Sequence, residues 1–475
     1  MKKLIEYTLQ EHIRALRARE YSSVELTRAY LDRIGEVDAR INAFVLVDEK
    51  GALGAAEASD VRRKSGNARG VLDGIPYAVK DNLCVKDMRT TCASRILENY
   101  IAPYDATAVS RLRESGAVLL GKLNMDEFAM GSTGERSIFG ATANPLRTDF
   151  VSGGSSSGSA AAVAALELPF SLGSDTGGSV RQPAAFCGVL GLKPTYGAIS
   201  RYGLIGFAPS FDCVGLLTRN AKDAQIIFSE LVGRDAHDAT SLEYPKERHS
   251  LRRPLRIAVP KELLESETVE QEVRLSVHRA MEAFAAREAE IELISLPSPR
   301  TALAAYCVLS AVEASSNLAR YDGIRYGRRS ADAEQLFSLY ANSRGEGFGI
   351  EVKRRILFGT CMLTEARREI YLERAIHARN QIRERMKDIF ASFDLILNPT
   401  TPTGAFQRGN ALTPAQHREA DLCAVYANLA GNPALSVPFG KNFLGMPLGV
   451  QLTAALCRED LLLEAASILE EANHE

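Results

Sequence analysis

Residues 151–191 read VSGGSSSGSAAAVAALELPFSLGSDTGGSVRQPAAFCGVLG. Ser152 to Ala162 are Ser, Gly and Ala alone, and no charged residue appears before Glu167. Side chains this small let backbone approach backbone, or a substrate. A flexible Gly/Ser linker has the same composition. A linker, however, does not run straight into an apolar helix-like segment (Ala160 to Leu166) and a strand-like one (Leu168 to Leu172). The stretch therefore reads as a buried loop system that feeds a helix and a strand. Its second half carries Asp175-Thr176-Gly177-Gly178-Ser179, a serine presented by two glycines.

Upstream, residues 1–65 read as N-terminal helices. Leu9, Ile13 and Leu16 recur at helical spacing. Ser22 with Glu25 forms a capping-box pattern, and Leu26, Tyr30, Ile34, Val37 and Ile41 mark one face of a second helix. From about 70 to 220 the texture changes. Gly74 to Asn82 reads as a strand entering a loop with Lys80 near its end, a helix is expected over 106–115, and Ala117 to Leu123 is a second strand. Met130-Gly131-Ser132-Thr133-Gly134 forms a loop, and Gly191 to Arg219 reads as turns and short apolar pieces.

Downstream, residues 233–254 are polar and charged, as in an exposed connection. Leu255 to Val259 and Ile291 to Leu296 read as strands around a helix, and helices dominate 301–391. Phe393 to Leu397, Pro433 to Pro438 and Leu448 to Leu452 read as strands before a closing helix. Strands alternating with helices predict an α/β layered fold on a mostly parallel or mixed sheet.

The composition limits the function. The chain has 475 residues, 46% hydrophobic and 24% charged, with a net charge of -2. That balance gives no electrostatic footprint for strong nucleic-acid binding by this chain alone. Eight scattered cysteines without a CxxC pair read as buried free thiols in a reducing compartment, and no metal site is expected. The N-terminus shows no secretory or transit pattern, and no run approaches a membrane-spanning length. A cytoplasmic protein is expected.

Ser179 is the strongest nucleophile candidate. After Gly177-Gly178 a turn can expose its hydroxyl while main-chain N–H groups of Thr176, Gly177, Gly178 and Ser179 face a developing oxyanion. A serine needs a base. The first 236 residues contain one histidine, His12, and it falls on an N-terminal helix. Lysine can serve instead when burial keeps it neutral. Lys80, at the end of an apolar strand, suits that role; an ion pair with Asp81 or another acid is the alternative. Gly153 to Ser159 also resembles a phosphate cradle, but Gly158 is followed by Ser159 rather than lysine, and the GxGxxG spacing is absent.

Together Lys80, Gly153-Gly154-Ser155-Ser156-Ser157-Gly158-Ser159 and Asp175-Thr176-Gly177-Gly178-Ser179-Val180-Arg181, running on to Gly191-Leu192-Lys193-Pro194-Thr195, resemble the amidase signature family. The separations are 75 residues from Lys80 to Ser155 and 24 from Ser155 to Ser179. The resemblance implies one large α/β/α domain spanning 1–475 around a mixed sheet. It also implies a Ser179–Ser155–Lys80 triad, with Ser155 in a non-proline cis peptide relaying the proton from the attacking Ser179 to a neutral Lys80.

The whole chain is most similar to the branch of that family that hydrolyses glutamine for tRNA-dependent amidotransferases. By that likeness Arg355 clamps the α-carboxylate of glutamine, with Arg354 as the rival. Asp421 holds the α-ammonium, and Tyr306, Gly131 and Ser132 line the side-chain pocket. Partner B and C subunits are implied, the B subunit using ATP and Mg²⁺ on misacylated tRNA, with no cofactor in this chain. Four positions depart from the family pattern: Ser157 for Gly, Arg136 for a small residue or Asn, Cys213 for Gln and Leu216 for Pro.

Overall fold

A computed structural model describes residues 3–245, 254–410 and 413–474. One mixed sheet of eleven strands forms its centre. The strands are β1 (Phe44–Val47), β2 (Pro76–Lys80), β3 (Val118–Leu123), β4 (Phe170–Asp175), β5 (Leu190–Lys193), β6 (Cys213–Thr218), β7 (Arg256–Pro260), β8 (Glu290–Ile294), β9 (Leu395–Pro399), β10 (Ala434–Lys441) and β11 (Pro447–Ala454). Their order across the sheet is β1-β3-β2-β4-β6-β5-β10-β11-β9-β7-β8. β3-β2-β4 and β9-β7-β8 are parallel sections, and the strands between them pair antiparallel.

Helices cover both faces. The N-terminal helices Leu9–Ala18 and Ser23–Ile41 join Ala221–Leu231 and Glu459–His474 over one apolar core. Pro299–Asn317 and Arg374–Ser392 pack on the other. The expected capping box is formed, with Ser22 accepting from Glu25 N and the Glu25 carboxylate accepting from Ser22 N. Each serves a main-chain donor that the helix itself leaves unpaired. The helix Ser157–Ala164 shows no polar face because residues 157–163 are buried all round.

Beyond β1, which interrupts the helices expected over 1–65, the sequence reading missed the strands β5 and β6 at the turn-rich region 191–219. They are short and buried throughout, so no alternation marks them. Leu216 and Cys213, two of the departures, lie on β6 opposite Leu172 and Asp175 of β4. Part of the expected exposed connection is tied to the domain: Asp235 accepts from Ser200 Oγ at 2.6 Å and Asp238 from Arg201 N at 2.8 Å. Residues 246–253 of that connection lie outside the described residues.

The expectation that no run approaches membrane-spanning length is corrected at Pro299–Arg320. The most apolar window of this 22-residue segment has a mean hydropathy of 1.2, but 56% of that window is buried inside the protein, as in a core helix. All eight cysteines are free thiols; Cys307, Cys361 and Cys457 are only partly buried.

Candidate active site

The parallel strands β2 and β4 end side by side, with Val79 opposite Leu172. Loops beyond the carboxyl ends of such strands are where α/β sheets gather ligands. Lys80 closes β2, and Asp175 closes β4. Between them the Gly/Ser loop returns, and its Gly154–Ser155 peptide is cis. Lys80 Nζ donates to Ser155 Oγ at 2.7 Å, Ser156 Oγ at 3.0 Å and Ser174 Oγ at 3.0 Å. Asn82 Nδ2 holds Ser174 Oγ from the other side at 2.9 Å.

No carboxylate hydrogen-bonds to Lys80 among the described residues. Asp81, the ion-pair partner weighed from the sequence, takes Lys122 at 2.9 Å instead. Burial pulls Lys80 from its ordinary value of 10.5 down to about 7, against the upward pull of Asp126, Asp175 and Asp212. The amine is therefore substantially neutral near pH 7 and able to accept a proton.

Ser179 follows on the turn after β4. The Ser179 carbonyl accepts from Ser156 N at 3.0 Å, which binds the turn to the cis-peptide loop. Ser179 is 8% exposed whereas Lys80 and Ser155 are at 0%, so of the three only Ser179 is open to an incoming molecule.

The turn is shaped by Asp175, whose role the sequence reading did not assign. Its carboxylate accepts from Gly178 N at 2.9 Å, Val180 N at 3.1 Å, Asn428 Nδ2 at 2.9 Å and Arg181 Nε and Nη2 at 3.0 and 2.9 Å. Arg181 also donates to Gln451 Oε1, Asn428 Oδ1 and the Ala424 carbonyl. Burial alone would raise the Asp175 carboxyl, but the Arg181 guanidinium outweighs it and holds it well below the ordinary carboxylate range. A buried ion pair is tolerable when its remaining hydrogen-bonding groups are satisfied in this way.

This geometry corrects one expected donor. The Gly178 N–H serves Asp175 and does not face the turn's mouth. Among the described residues the N–H groups of Thr176, Gly177 and Ser179 have no partner outside the strand ladder. Thr176 is further anchored by its side chain, which donates to Asp212 Oδ1 at 2.6 Å.

Tyr306, Arg354, Arg355 and Asp421 line one pocket beside this turn. A side chain on Gly177 would run into the Tyr306 ring, and one on Gly178 would meet Ala424 Cβ at 2.9 Å with Asp421 Oδ1 just beyond. Arg355 is the cation acting on both Tyr306 and Asp421. Burial raises the Asp421 carboxyl from 3.8 to about 7 against the pull of Arg355. Gly131 and Ser132 are not in this lining; they adjoin the cis-peptide loop. Gln182 bridges the two, donating to the Ser132 carbonyl and accepting from Gly154 N, both at 2.7 Å. Asp126 supports the same loop from below, accepting from Gly134 N at 3.1 Å and Arg136 N at 3.0 Å.

Gln182, Ser156 and Ser174 escaped the sequence reading because each acts through a neighbour distant in the chain, and Asp126 because no local pattern marks the loop it ties down. The departure Ser157 opens the buried helix and packs against Gly134. Arg136 pairs with Glu351 at 2.8 Å. His12 is far from this chemistry in kind as well as in the chain, wedged between the Tyr21 and Tyr30 hydroxyls.

The family model described as Amidase matches residues 25–463. The chain is similar to the A subunit of the glutamyl-tRNA(Gln) amidotransferase of Bacillus licheniformis, 46% identical over 99% of this chain and 98% of that one. It is 47% identical to the protein of the same name from Synechococcus sp. strain CC9311, over 96% and 95%. The crystal structure of the corresponding protein from Thermotoga maritima matches with a TM-score of 0.81 at 36% identity, covering 99% and 96%. A peptide amidase from Stenotrophomonas maltophilia matches with a TM-score of 0.82 at 28% identity, over 99% and 97%. Backbone shape thus does not separate these activities.

Fold and relatives define an enzyme of amide chemistry, of the amidohydrolase and amidotransferase kind. The chain belongs to the amidase family.

Proposed function

We propose that this chain is the glutamine-hydrolysing component of a tRNA-dependent amidotransferase. The observation that carries the reading is a cation and an anion, Arg355 and Asp421, in one pocket with Tyr306 beside the Gly177–Ser179 turn. A free amino acid offers α-carboxylate and α-ammonium together, and a guanidinium and a carboxylate are their complements. An apolar amide would leave the Arg355 Nη groups and the Asp421 carboxylate without a partner in the ligand. The relatives named for glutamyl-tRNA(Gln) amidotransferase support the same substrate.

In this reading Ser179 Oγ attacks the side-chain carbonyl of glutamine. Its proton passes to Ser155 Oγ as the proton of Ser155 passes to Lys80 Nζ, 2.7 Å away. The Gly177 and Ser179 N–H groups receive the oxyanion, with Thr176 next in line. Collapse breaks the C–N bond, and the proton returns through Ser155 to the nitrogen that leaves as ammonia. Water, activated by the same relay, then hydrolyses the glutamyl ester on Ser179. The ammonia is used at a partner B subunit, which activates Glu-tRNA(Gln), or Asp-tRNA(Asn), with ATP and Mg²⁺, a C subunit holding the cytoplasmic heterotrimer together.

The test is ammonia release from glutamine by this chain alone and with its B and C partners, Glu-tRNA(Gln) and ATP, beside a Ser179→Ala control. Release that rises with the partners and vanishes in the variant is expected. No glutamine turnover, with hydrolysis of another small amide, would assign a stand-alone amidase instead.

A further inference from the structure

The helix Ile350–Met362 carries Glu351, Arg354 and Arg355 three and four residues apart, so all three share one face. Glu351 sits in the first turn, where the helix N-terminus favours an acid. Its carboxylate receives three guanidiniums. Oε2 takes Arg354 Nη1 at 2.6 Å and Arg136 Nη1 at 2.8 Å, and Oε1 takes Arg355 Nε at 3.1 Å. Burial would raise the Glu351 carboxyl, but the guanidiniums of Arg355 and Arg136 outweigh it and hold it below its ordinary value. Three like charges gathered this closely repel one another unless an anion stands between them.

The geometry decides what each arginine can do. Arg355 is gripped at Nε and lies over the Phe207 ring, 5.1 Å from its centroid. Its two Nη groups have no hydrogen-bond partner among the described residues, in a pocket shared with Tyr306 and Asp421. That is a fork presented ready for a carboxylate, with little rotamer freedom left to lose on binding. Arg136 comes from the loop that begins at Gly131-Ser132 and rests on Asp126. Through Glu351 this loop and the clamp helix are joined by one carboxylate.

We propose that Glu351 is the positioning residue of the substrate-carboxylate clamp. It fixes the Arg355 fork and, through Arg136, ties the clamp helix to the 131–136 loop. The chain is thereby selective for amides that carry an α-carboxylate over those that lack one. This rests on the glutamine reading above and names the device behind its specificity.

The test uses the assembled complex, with glutamine and with 4-aminobutanamide, which is glutamine without its carboxylate. The latter is followed as a substrate or, where turnover is slow, as a competitive inhibitor. Glu351→Gln should raise KM for glutamine roughly tenfold, the loss of one charge-assisted contact. Its kcat should stay within about threefold, and the constant for 4-aminobutanamide should not move. Where Glu351→Gln does not fold, Arg136→Met removes only the partly exposed outer partner and should raise KM for glutamine about threefold, again sparing 4-aminobutanamide. Equal shifts for both amides, or none for either, overturn the proposal while leaving the glutaminase intact. A wild-type complex that does not hydrolyse glutamine removes the underlying reading, and the proposal with it.

Discussion

Acidification should shut the enzyme down in two separable steps. Lys80 must be neutral to accept a proton, and burial sets it at about 7. Asp421 must be ionised to hold an ammonium, and burial sets its carboxyl at about 7 as well. Between pH 8 and pH 6 the competent form of each group falls about tenfold for a value near 7. For kcat/KM on glutamine, which reports the free enzyme, both count, and the drop should be about a hundredfold. In the bound complex the substrate ammonium keeps Asp421 ionised, so kcat should drop only about tenfold. Glutaramate, which is glutamine without its amino group, should show the tenfold drop in both parameters. The assay is ammonia release across pH 6–9 in constant-ionic-strength buffer. A kcat that is flat from 6 to 8, or that is still rising through pH 10, would refute Lys80 as the base. Equal slopes for kcat and kcat/KM on glutamine would remove Asp421 from ammonium binding.

Lys80→Met should abolish hydrolysis yet stabilise the fold. The unfolded lysine at 10.5 binds a proton that the native one at about 7 releases, so Lys80 costs stability fully below about pH 7, and the cost fades as pH rises to 10.5. That gap corresponds to about 5 kcal/mol, offset by about 1 kcal/mol for each hydrogen bond lost to Ser155, Ser156 and Ser174. A higher urea midpoint at pH 7, with a smaller gain at pH 10, is expected; a lower midpoint at pH 7 would sink the argument. Gly177→Ala sets a methyl against the Tyr306 ring and should cost at least a hundredfold in kcat/KM, roughly 2.7 kcal/mol, with circular dichroism unchanged. Arg181→Met strands the Asp175 carboxylate in the interior and should cost about 3–5 kcal/mol, read as a loss of soluble protein or a Tm lower by several degrees.

The sequence by itself determined the features whose physics is local. The Ser22–Glu25 capping box and the apolar face from Leu26 to Ile41 are fixed by contacts within one helix, and they stand where the spacing put them. The layered α/β class follows from alternating strands and helices. Ser179 stood out as a candidate because Gly177 and Gly178 precede it, and Lys80 because it ends an apolar strand; Ser155 was added by the family resemblance. Only the tertiary structure decided which partner each charge takes. Lys80 ends a strand buried on both faces and the buried Asp81 follows it directly, so no polar face tells which one turns to a serine and which to Lys122. Likewise Asp175 withdraws the Gly178 N–H from the oxyanion side, held in place by Asn428 from far along the chain and by Arg181, which Gln451 and Asn428 anchor in turn. Glu351 shares a helix with Arg354 and Arg355, and only the fold brings it Arg136 from more than two hundred residues earlier. Long-range electrostatics depends on which strands lie side by side, and the order β2-β4-β6-β5-β10-β11 is a property of the packed sheet, not of any window of sequence.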